Sequence, residues 1–284
     1  MNAQNDFDNT RIAAHCLLER FSTHVVALMA YGSRVYGRPR RGSAHDFWLI
    51  VDDPAAFHQG NAAFYRTHLN IPSTPDEQIR RNLDGPNFYS LSESGMEIKF
   101  GVLGEESFCR LCRDAWWTVK GRMQKPLRFI KSSPGVKQAV RAARQEGLHH
   151  ALNMAPRDFG FNELMRELVA LSYRAELRPE HMKAKVQSIL DSGGEALDRI
   201  YRPMLDAQPN VEKRGETYVD LRDDETRRYA RRATLQSLRR SKWSRRSFRY
   251  IIRNFRSHRA PIRYILKKGC GEIEKAFARI GGRK

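Results

Sequence analysis

The chain has 284 residues, of which 40% are hydrophobic and 29% are charged. This length predicts two domains, or one domain with a long appendage, and the composition excludes a wholly disordered protein. No run approaches the roughly 18 uncharged apolar residues of a membrane span. The formal net charge is +19, and residues 227–284 hold 20 Lys and Arg against two acids, so nearly all of the excess lies there. A near-neutral body with a strongly basic tail indicates a polyanionic partner, either nucleic acid or an anionic membrane surface.

The hydrophobic pattern predicts strands and then mostly helices along the chain. Apolar residues at helical spacing predict a helix over 10–21, and continuous apolar runs predict buried strands over 25–30 and 47–51. A third strand is predicted over 96–102, after a Glu-Ser-Gly turn. From residue 105 onward the periodicity is helical, with helices predicted over 108–119, 136–151, 161–173 and 181–206. We therefore expect an α+β protein with a mixed sheet, followed by a helical region.

Gly32 and Ser33 follow the first predicted strand, and Asp46 opens the second. A glycine allows close approach of the backbone to a phosphate, and a serine hydroxyl can bind one. A carboxylate on the adjacent strand can bind Mg²⁺, which neutralises phosphate charge. Arg34 and the arginines after it would suit an anionic ligand. The alternative is an ordinary Gly-Ser turn with solvated arginines, and these residues alone do not decide between the two.

The same residues resemble the signature of the nucleotidyltransferase superfamily. The matching stretches are Gly32-Ser33-Arg34-x-x-Gly37 and Ser43-x-x-Asp46-Phe47. That signature has two acids separated by one residue. Here Ala44 lies two positions before Asp46 and Trp48 two positions after it, so the second carboxylate is missing. Glu97, on the third predicted strand, is the best candidate for a further acid.

A narrower resemblance is to the mitochondrial phosphatidate cytidylyltransferase family, also called the translocator assembly and maintenance family. Five stretches agree with it in order over about residues 28–205. They are Asp46-Phe47 with Val51-Asp52-Asp53-Pro54, His58 and Asn61; Ile98-Lys99-Phe100-Gly101-Val102; Gly121-Arg122-Met123-Gln124-Lys125-Pro126; Leu171-Ser172-Tyr173-Arg174-Ala175-Glu176-Leu177-Arg178; and Lys183-x-Lys185-Val186.

This resemblance implies a Mg²⁺-dependent reaction in which CTP and phosphatidic acid give CDP-diacylglycerol and pyrophosphate. It also implies a nucleotidyltransferase domain over 1–120, a helical, winged-helix-like domain over 121–222 and a basic amphipathic tail over 223–284. The active site is expected between the first two.

The site residues expected from the motifs and the resemblance fall into two groups. Asp46 and Lys99 are the predicted catalytic residues, and Asp46 is also the predicted Mg²⁺ ligand. Lys99 lies within an apolar strand, although an edge-strand lysine that blocks aggregation is the alternative. The predicted nucleotide-binding residues are Tyr31, Gly32, Ser33, Arg34, His58, Asn61, Arg122, Lys125, Tyr173, Arg178 and Lys183.

The basic tail combines cations with apolar residues at helical spacing. This pattern is typical of an interfacial helix, which a lipid substrate would require. The predicted membrane-binding residues are Arg245, Arg246, Phe248, Arg249, Ile252, Arg253, Phe255 and Arg256. Binding of nucleic acid and packing of the apolar stripe on the body are the less favoured alternatives.

The first eight residues contain no Lys or Arg, so neither a signal peptide nor a transit peptide is predicted. We therefore expect a peripheral protein on the cytoplasmic face of a bacterial-type inner membrane. Two other functions stay open: a nucleotidyltransferase that acts on RNA or protein, and a non-catalytic nucleotide-binding module, which the missing second acid would favour.

Overall fold

The computed structural model describes residues 3–36, 43–68, 74–114, 117–176, 182–242 and 244. Within them the chain is a mixed α+β protein with a mixed sheet and flanking helices, which confirms the predicted fold class. No helix in these described ranges combines the length and the apolar character that crossing a bilayer requires.

The larger sheet has five strands in the order β3-β4-β2-β1-β5. The central strands β2 and β4 run parallel, and the other neighbours are antiparallel. The three strands that the sequence predicted are β1, β2 and β4; buried apolar runs form β1 and β2, and β4 is buried from Phe100 onward. The bounds are β1 Val25–Tyr31, β2 His45–Val51, β3 Asn87–Glu93, β4 Met96–Gly104 and β5 Arg128–Lys131.

Two helical layers cover this sheet. One face packs against α1, α3 and α4 through Phe21, Phe57 and Tyr65, and the other packs against α6, α7 and α8 around Trp48. The one helix predicted over 108–119 is two helices, α6 and α7. The helices up to this point are α1 Ala3–Phe21, α2 Ser33–Tyr36, α3 Pro54–Gly60, α4 Ala62–His68, α5 Pro75–Asp84, α6 Glu105–Arg113, α7 Trp117–Met123 and α8 Pro134–Met154.

A second core forms around the C-terminal half of α8. It contains α9 Phe161–Ala175 and α10 Met182–Asp206, and a three-stranded sheet of order β6-β8-β7. These strands are β6 Asp158–Gly160, β7 Val211–Arg214 and β8 Thr217–Asp220. The domain boundaries at 120 and 222 remain predictions, although β5 lies beyond residue 120 and still pairs with β1 of the larger sheet.

The first part of the predicted tail packs on the body. It forms α11 Asp224–Lys242, in which Thr234, Leu238 and Ser241 are buried. Ser241 Oγ accepts a hydrogen bond from the backbone N–H of Trp117 at 2.9 Å. The packing alternative for the apolar stripe concerns residues from 248 onward, which lie outside the described residues. The predicted membrane-binding residues 245–256 lie outside the described residues.

Candidate active site

The site is built where β1 ends and β2 begins. Gly32 follows β1 with a φ of 87°, and α2 begins at the next residue. The N–H of Val35 donates to the carbonyl of Gly32 at 3.0 Å, which closes the turn. A Cβ atom on Gly32 would stand 2.7 Å from Oδ2 of Asp46. The turn and the carboxylate are therefore in direct contact, and only glycine satisfies both the backbone angle and the space.

The Asp46 carboxyl lies in an environment that opposes its own ionisation. Burial raises its pKa above the ordinary value, and the positive charges of Lys99, Arg122, Lys185 and Arg34 act in the opposite direction. Burying the carboxylate is costly, and the nearby cations offset part of that cost. The same cations would suit a polyanionic ligand, and the carboxylate would suit a metal ion bound with it.

The four cations whose charges act on Asp46 belong to four different elements. Lys99 is its register partner on the parallel strand β4. Arg34 lies on α2, where its Nε donates to the carbonyl of Ser43 at 2.7 Å. Arg122 belongs to the last turn of α7 and Lys185 to the first turn of α10, which contacts α2. Cations converging from several elements can bind a triphosphate from several sides.

Asp46 fits a magnesium ion that is bound together with a nucleotide. Mg²⁺ is commonly bound by one or two carboxylates and by phosphate oxygens of the substrate, with water completing the octahedron. The Oδ2 atom of Asp46 faces the Gly32 turn, where the predicted triphosphate would lie. In the ranges that the structure describes, no group of three or more His, Cys, Asp or Glu side chains is placed to hold a metal. A site that depends on substrate oxygens matches this donor set.

Glu97 gains no support as the further acid. Its carboxylate is exposed and accepts a hydrogen bond from the hydroxyl of Ser92 on the neighbouring strand. The charges that act most strongly on Asp46 are all cations.

Lys125 and Tyr173 are brought together, although they are 48 residues apart. Both are buried, and Lys125 Nζ donates to the Tyr173 hydroxyl at 3.4 Å and lies 4.7 Å from the ring centroid. This contact joins the segment after α7 to α9. Their assignment as nucleotide ligands remains a prediction.

His58 and Asn61 hydrogen-bond to residues of α3, α4 and α5, and their assignment as nucleotide ligands remains a prediction. His58 is fully buried. Its Nδ1 lies 2.9 Å from the Tyr65 hydroxyl, and its Nε2 hydrogen-bonds to Oδ1 of Asn82. Asn61 follows α3, and its Nδ2 donates to the carbonyl of Phe57 at 2.8 Å. These partners indicate structural roles, which helical spacing alone could not reveal.

The remaining predicted ligands differ in position. Tyr31 is half-buried, with its ring centroid 5.8 Å from that of Trp48, and Ser33 begins α2 directly after Gly32. Lys183 is exposed on α10, and Arg178 lies outside the described residues. The sequence motif contained Lys185, but the set of predicted ligands omitted it, because only packing of α10 shows which lysine approaches Asp46.

A Gly-Ser turn against a strand-end carboxylate, with four cations acting on that carboxylate, matches the nucleotidyltransferase signature found in the sequence. The comparisons with known proteins agree. The family model described as "Phosphatidate cytidylyltransferase, mitochondrial" matches residues 14–258. The chain belongs to the mitochondrial phosphatidate cytidylyltransferase family.

Curated relatives with this name are similar over most of the chain. The protein of Caenorhabditis briggsae is 28% identical over 189 residues, which cover 62% of this chain and 59% of the relative. The Mus musculus protein is 27% identical over 216 residues, covering 69% and 63%. The Homo sapiens protein is 25% identical over 215 residues, covering 69% and 47%. The chain thus matches about three fifths, or less, of the length of these relatives.

The predicted location at a bacterial-type inner membrane is wrong. The matching family and these relatives are all named as mitochondrial proteins.

Proposed function

We propose that this protein transfers a cytidylyl group from CTP to phosphatidic acid, and that CDP-diacylglycerol and pyrophosphate are the products. The observation that carries the proposal is the convergence of Lys99, Arg122, Lys185 and Arg34 on Asp46 beside the Gly32 turn. Family membership adds the choice of nucleotide and lipid, because the relatives carry that activity in their names.

The chemistry requires one bond to form and one to break at the α-phosphorus of CTP. An oxygen of the phosphatidate phosphate attacks this phosphorus, and the bond to the pyrophosphate oxygen breaks with its electron pair leaving on pyrophosphate. A phosphate monoester is already anionic near neutral pH, so the reaction needs no strong general base. Positioning and neutralisation of charge supply the catalysis instead.

The residues of the site would divide this work among themselves. Gly32 and Ser33 present backbone and hydroxyl groups to the triphosphate, and Asp46 would hold Mg²⁺, which supplies charge neutralisation at the phosphates. Lys99 lies beside Asp46 in the strand register and would neutralise the phosphates of the donor or the acceptor. Lys185 and Arg122 would close on the nucleotide from the helical side.

An anionic lipid surface is the proposed partner, since the acceptor is a membrane lipid. Cations near such a surface each contribute on the order of 1 kcal/mol. The net charge of the C-terminal fifth of the chain supports this part of the proposal.

The test supplies CTP labelled in its α-phosphate, Mg²⁺ and vesicles that contain phosphatidic acid. We expect label in the lipid fraction and release of pyrophosphate. Asp46→Asn should abolish both, whereas Asp52→Asn, at the exposed other end of β2, should retain them. Labelling of added RNA or protein instead of lipid would contradict the proposal, and so would full activity of Asp46→Asn.

A further inference from the structure

Arg122 lies against two aromatic rings on the face of the sheet that carries Asp46. Its guanidinium carbon is 5.0 Å from the ring centroid of Phe88 and 5.9 Å from that of Trp48. The two rings meet edge to face with centroids 5.6 Å apart. We call Trp48 and Phe88 the aromatic cradle.

The backbone opposite Phe88 is shaped for this arrangement. Gly101 on β4 is the register partner of Phe88 on β3. A Cβ atom at Gly101 would stand 2.8 Å from Cε1 of Phe88, which is closer than two carbons can approach. A glycine inside a strand commonly marks such a close approach. The absence of a side chain at 101 lets the Phe88 ring lie over the sheet, where it meets Arg122.

The cradle suits an arginine that must bind a phosphate. An aromatic face attracts a guanidinium through its quadrupole and so favours one position of the side chain. Arg122 also acts on Asp46. Fixing a long, flexible side chain before the substrate arrives removes an ordering cost from binding.

We infer that Phe88 is a positioning residue for the cytidylyl transfer, acting through Arg122. This inference rests on the proposed function. Phe88 with Trp48 holds the Arg122 guanidinium beside Asp46, where it binds the phosphates of CTP, and Gly101 provides the space that the Phe88 ring needs.

The experiment compares Phe88→Leu, Phe88→Tyr and Arg122→Ala, and it combines Phe88→Leu with Arg122→Ala. Leucine keeps an apolar side chain but has no ring face, whereas tyrosine keeps the face. Phe88→Leu should raise the KM for CTP about tenfold, and Phe88→Tyr should stay near the wild type. In the Arg122→Ala background, Phe88→Leu should change KM little further, because the residue through which it acts is gone.

A matched control is available on the other side of the sheet. The Arg20 guanidinium lies 4.8 Å from the ring centroid of Phe64, which packs in the opposite core layer. Phe64→Leu makes the same chemical change in another cation–π pair and should leave the KM for CTP unchanged.

Calorimetry measures the affinity for Mg²⁺ and CTP without lipid, and it therefore tests the role of the aromatic cradle separately from the proposed function. If the wild type transfers no cytidylyl group to phosphatidate, the proposed function fails, whereas the calorimetric comparison of the same variants still tests the cradle. The inference is overturned if Phe88→Leu leaves both KM and CTP affinity unchanged. It is also overturned if its effect is as large without Arg122 as with it, since that result shows a structural role.

Discussion

The Asp46 carboxylate lies so close to Gly32 that a side chain at position 32 would occupy the place of its Oδ2 atom. Register explains the contact, because the preceding residue, Tyr31, is the antiparallel partner of Asp46. Because β1 ends at Tyr31, the turn that begins at Gly32 lies directly beside Asp46 on β2. The predicted phosphate-binding turn at Gly32 and Ser33 and the predicted metal ligand, Asp46, are consequently in direct contact.

Gly32→Ala should therefore remove activity, because the added Cβ displaces the Asp46 carboxylate and also strains the backbone. We expect at least a hundredfold loss of kcat/KM, about 3 kcal/mol, because Asp46 must move. Gly95→Ala is the matched control, since Gly95 has a φ of 73° and nothing lies within 4 Å of its added Cβ. Both should cost about 1–2 kcal/mol of stability from backbone strain, but only Gly32→Ala should lose activity. Steady-state kinetics and thermal unfolding distinguish the two, and equal activities would contradict this prediction.

Asp46→Asn should stabilise the protein in the absence of ligands while it abolishes transfer. Burial raises the Asp46 pKa, so folding favours the protonated acid. The stability that this provides is present below the ordinary Asp pKa of about 3.9 and is lost as pH rises through the folded value. Asparagine does not ionise, and we expect its melting temperature to be higher by roughly 1–4 °C near pH 7. The gain should shrink as the pH falls, and a gain that persists unchanged at acid pH would count against this explanation.

Lys185→Gln should weaken CTP binding more than Lys183→Gln. Both lysines are exposed in the first turn of α10, so each substitution removes one surface charge. Lys185 acts on Asp46 and would face the nucleotide, whereas Lys183 is absent from the charges that affect Asp46 most. We expect the KM for CTP to rise about tenfold for Lys185→Gln and less than twofold for Lys183→Gln. The reverse order would show that α10 presents a different face to the substrate.

His58→Leu should damage stability and leave the KM for CTP unchanged. The substitution removes one buried hydrogen-bond partner from the Tyr65 hydroxyl and one from Oδ1 of Asn82, which still accepts from Asn87, at a cost of roughly 1–3 kcal/mol. Burial lowers the His58 pKa, so the neutral ring contributes stability above its ordinary pKa of about 6.5, and this contribution declines as the pH falls. The stability difference from wild type should therefore narrow toward pH 5 in urea titrations. A higher KM with unchanged stability would support His58 as a nucleotide ligand and contradict this structural role.

Ser241→Ala should destabilise the body by about 1–3 kcal/mol, because it removes the partner of a buried backbone N–H. Gln236→Ala, on the exposed side of the same helix, should change the free energy of unfolding by less than 0.5 kcal/mol. A chain cut at residue 222 should be less stable still, since it loses all of α11. Vesicle-binding tests of the tail therefore need a cut after Lys242. Wild-type stability of the chain cut at 222 would contradict this packing.

The strands that sequence analysis found are those with the strongest apolar signal. β1 and β2 contain continuous buried apolar runs, and β4 is mostly buried apart from the exposed Glu97 and Lys99 near its start. β3 lies at an edge and alternates buried with exposed residues. β6 has three residues, and β7 reads Val-Glu-Lys-Arg. Such segments carry too little hydrophobic signal for prediction, and their pairing partners decide their structure.

Some residues of the site can be predicted from local sequence, whereas others depend on tertiary packing. Gly32, Ser33 and Asp46 follow from a local motif, and the position of Lys99 beside Asp46 follows from strand register. The approach of Lys185 depends on how α10 packs, and no sequence spacing encodes that. The hydrogen bond between His58 and Asn82 likewise depends on packing, because the two residues are 24 positions apart.

The four cations that act on Asp46 are synthesised at different times, and this affects when nucleotide can bind. Gly32 and Asp46 leave the ribosome early, whereas Lys185 is made 139 residues after Asp46. A nascent chain that holds only the larger sheet has the acid without its full set of compensating charges. Nucleotide can therefore add its full binding energy only after α10 has been made and has docked, so it stabilises the finished protein more than its growing precursor.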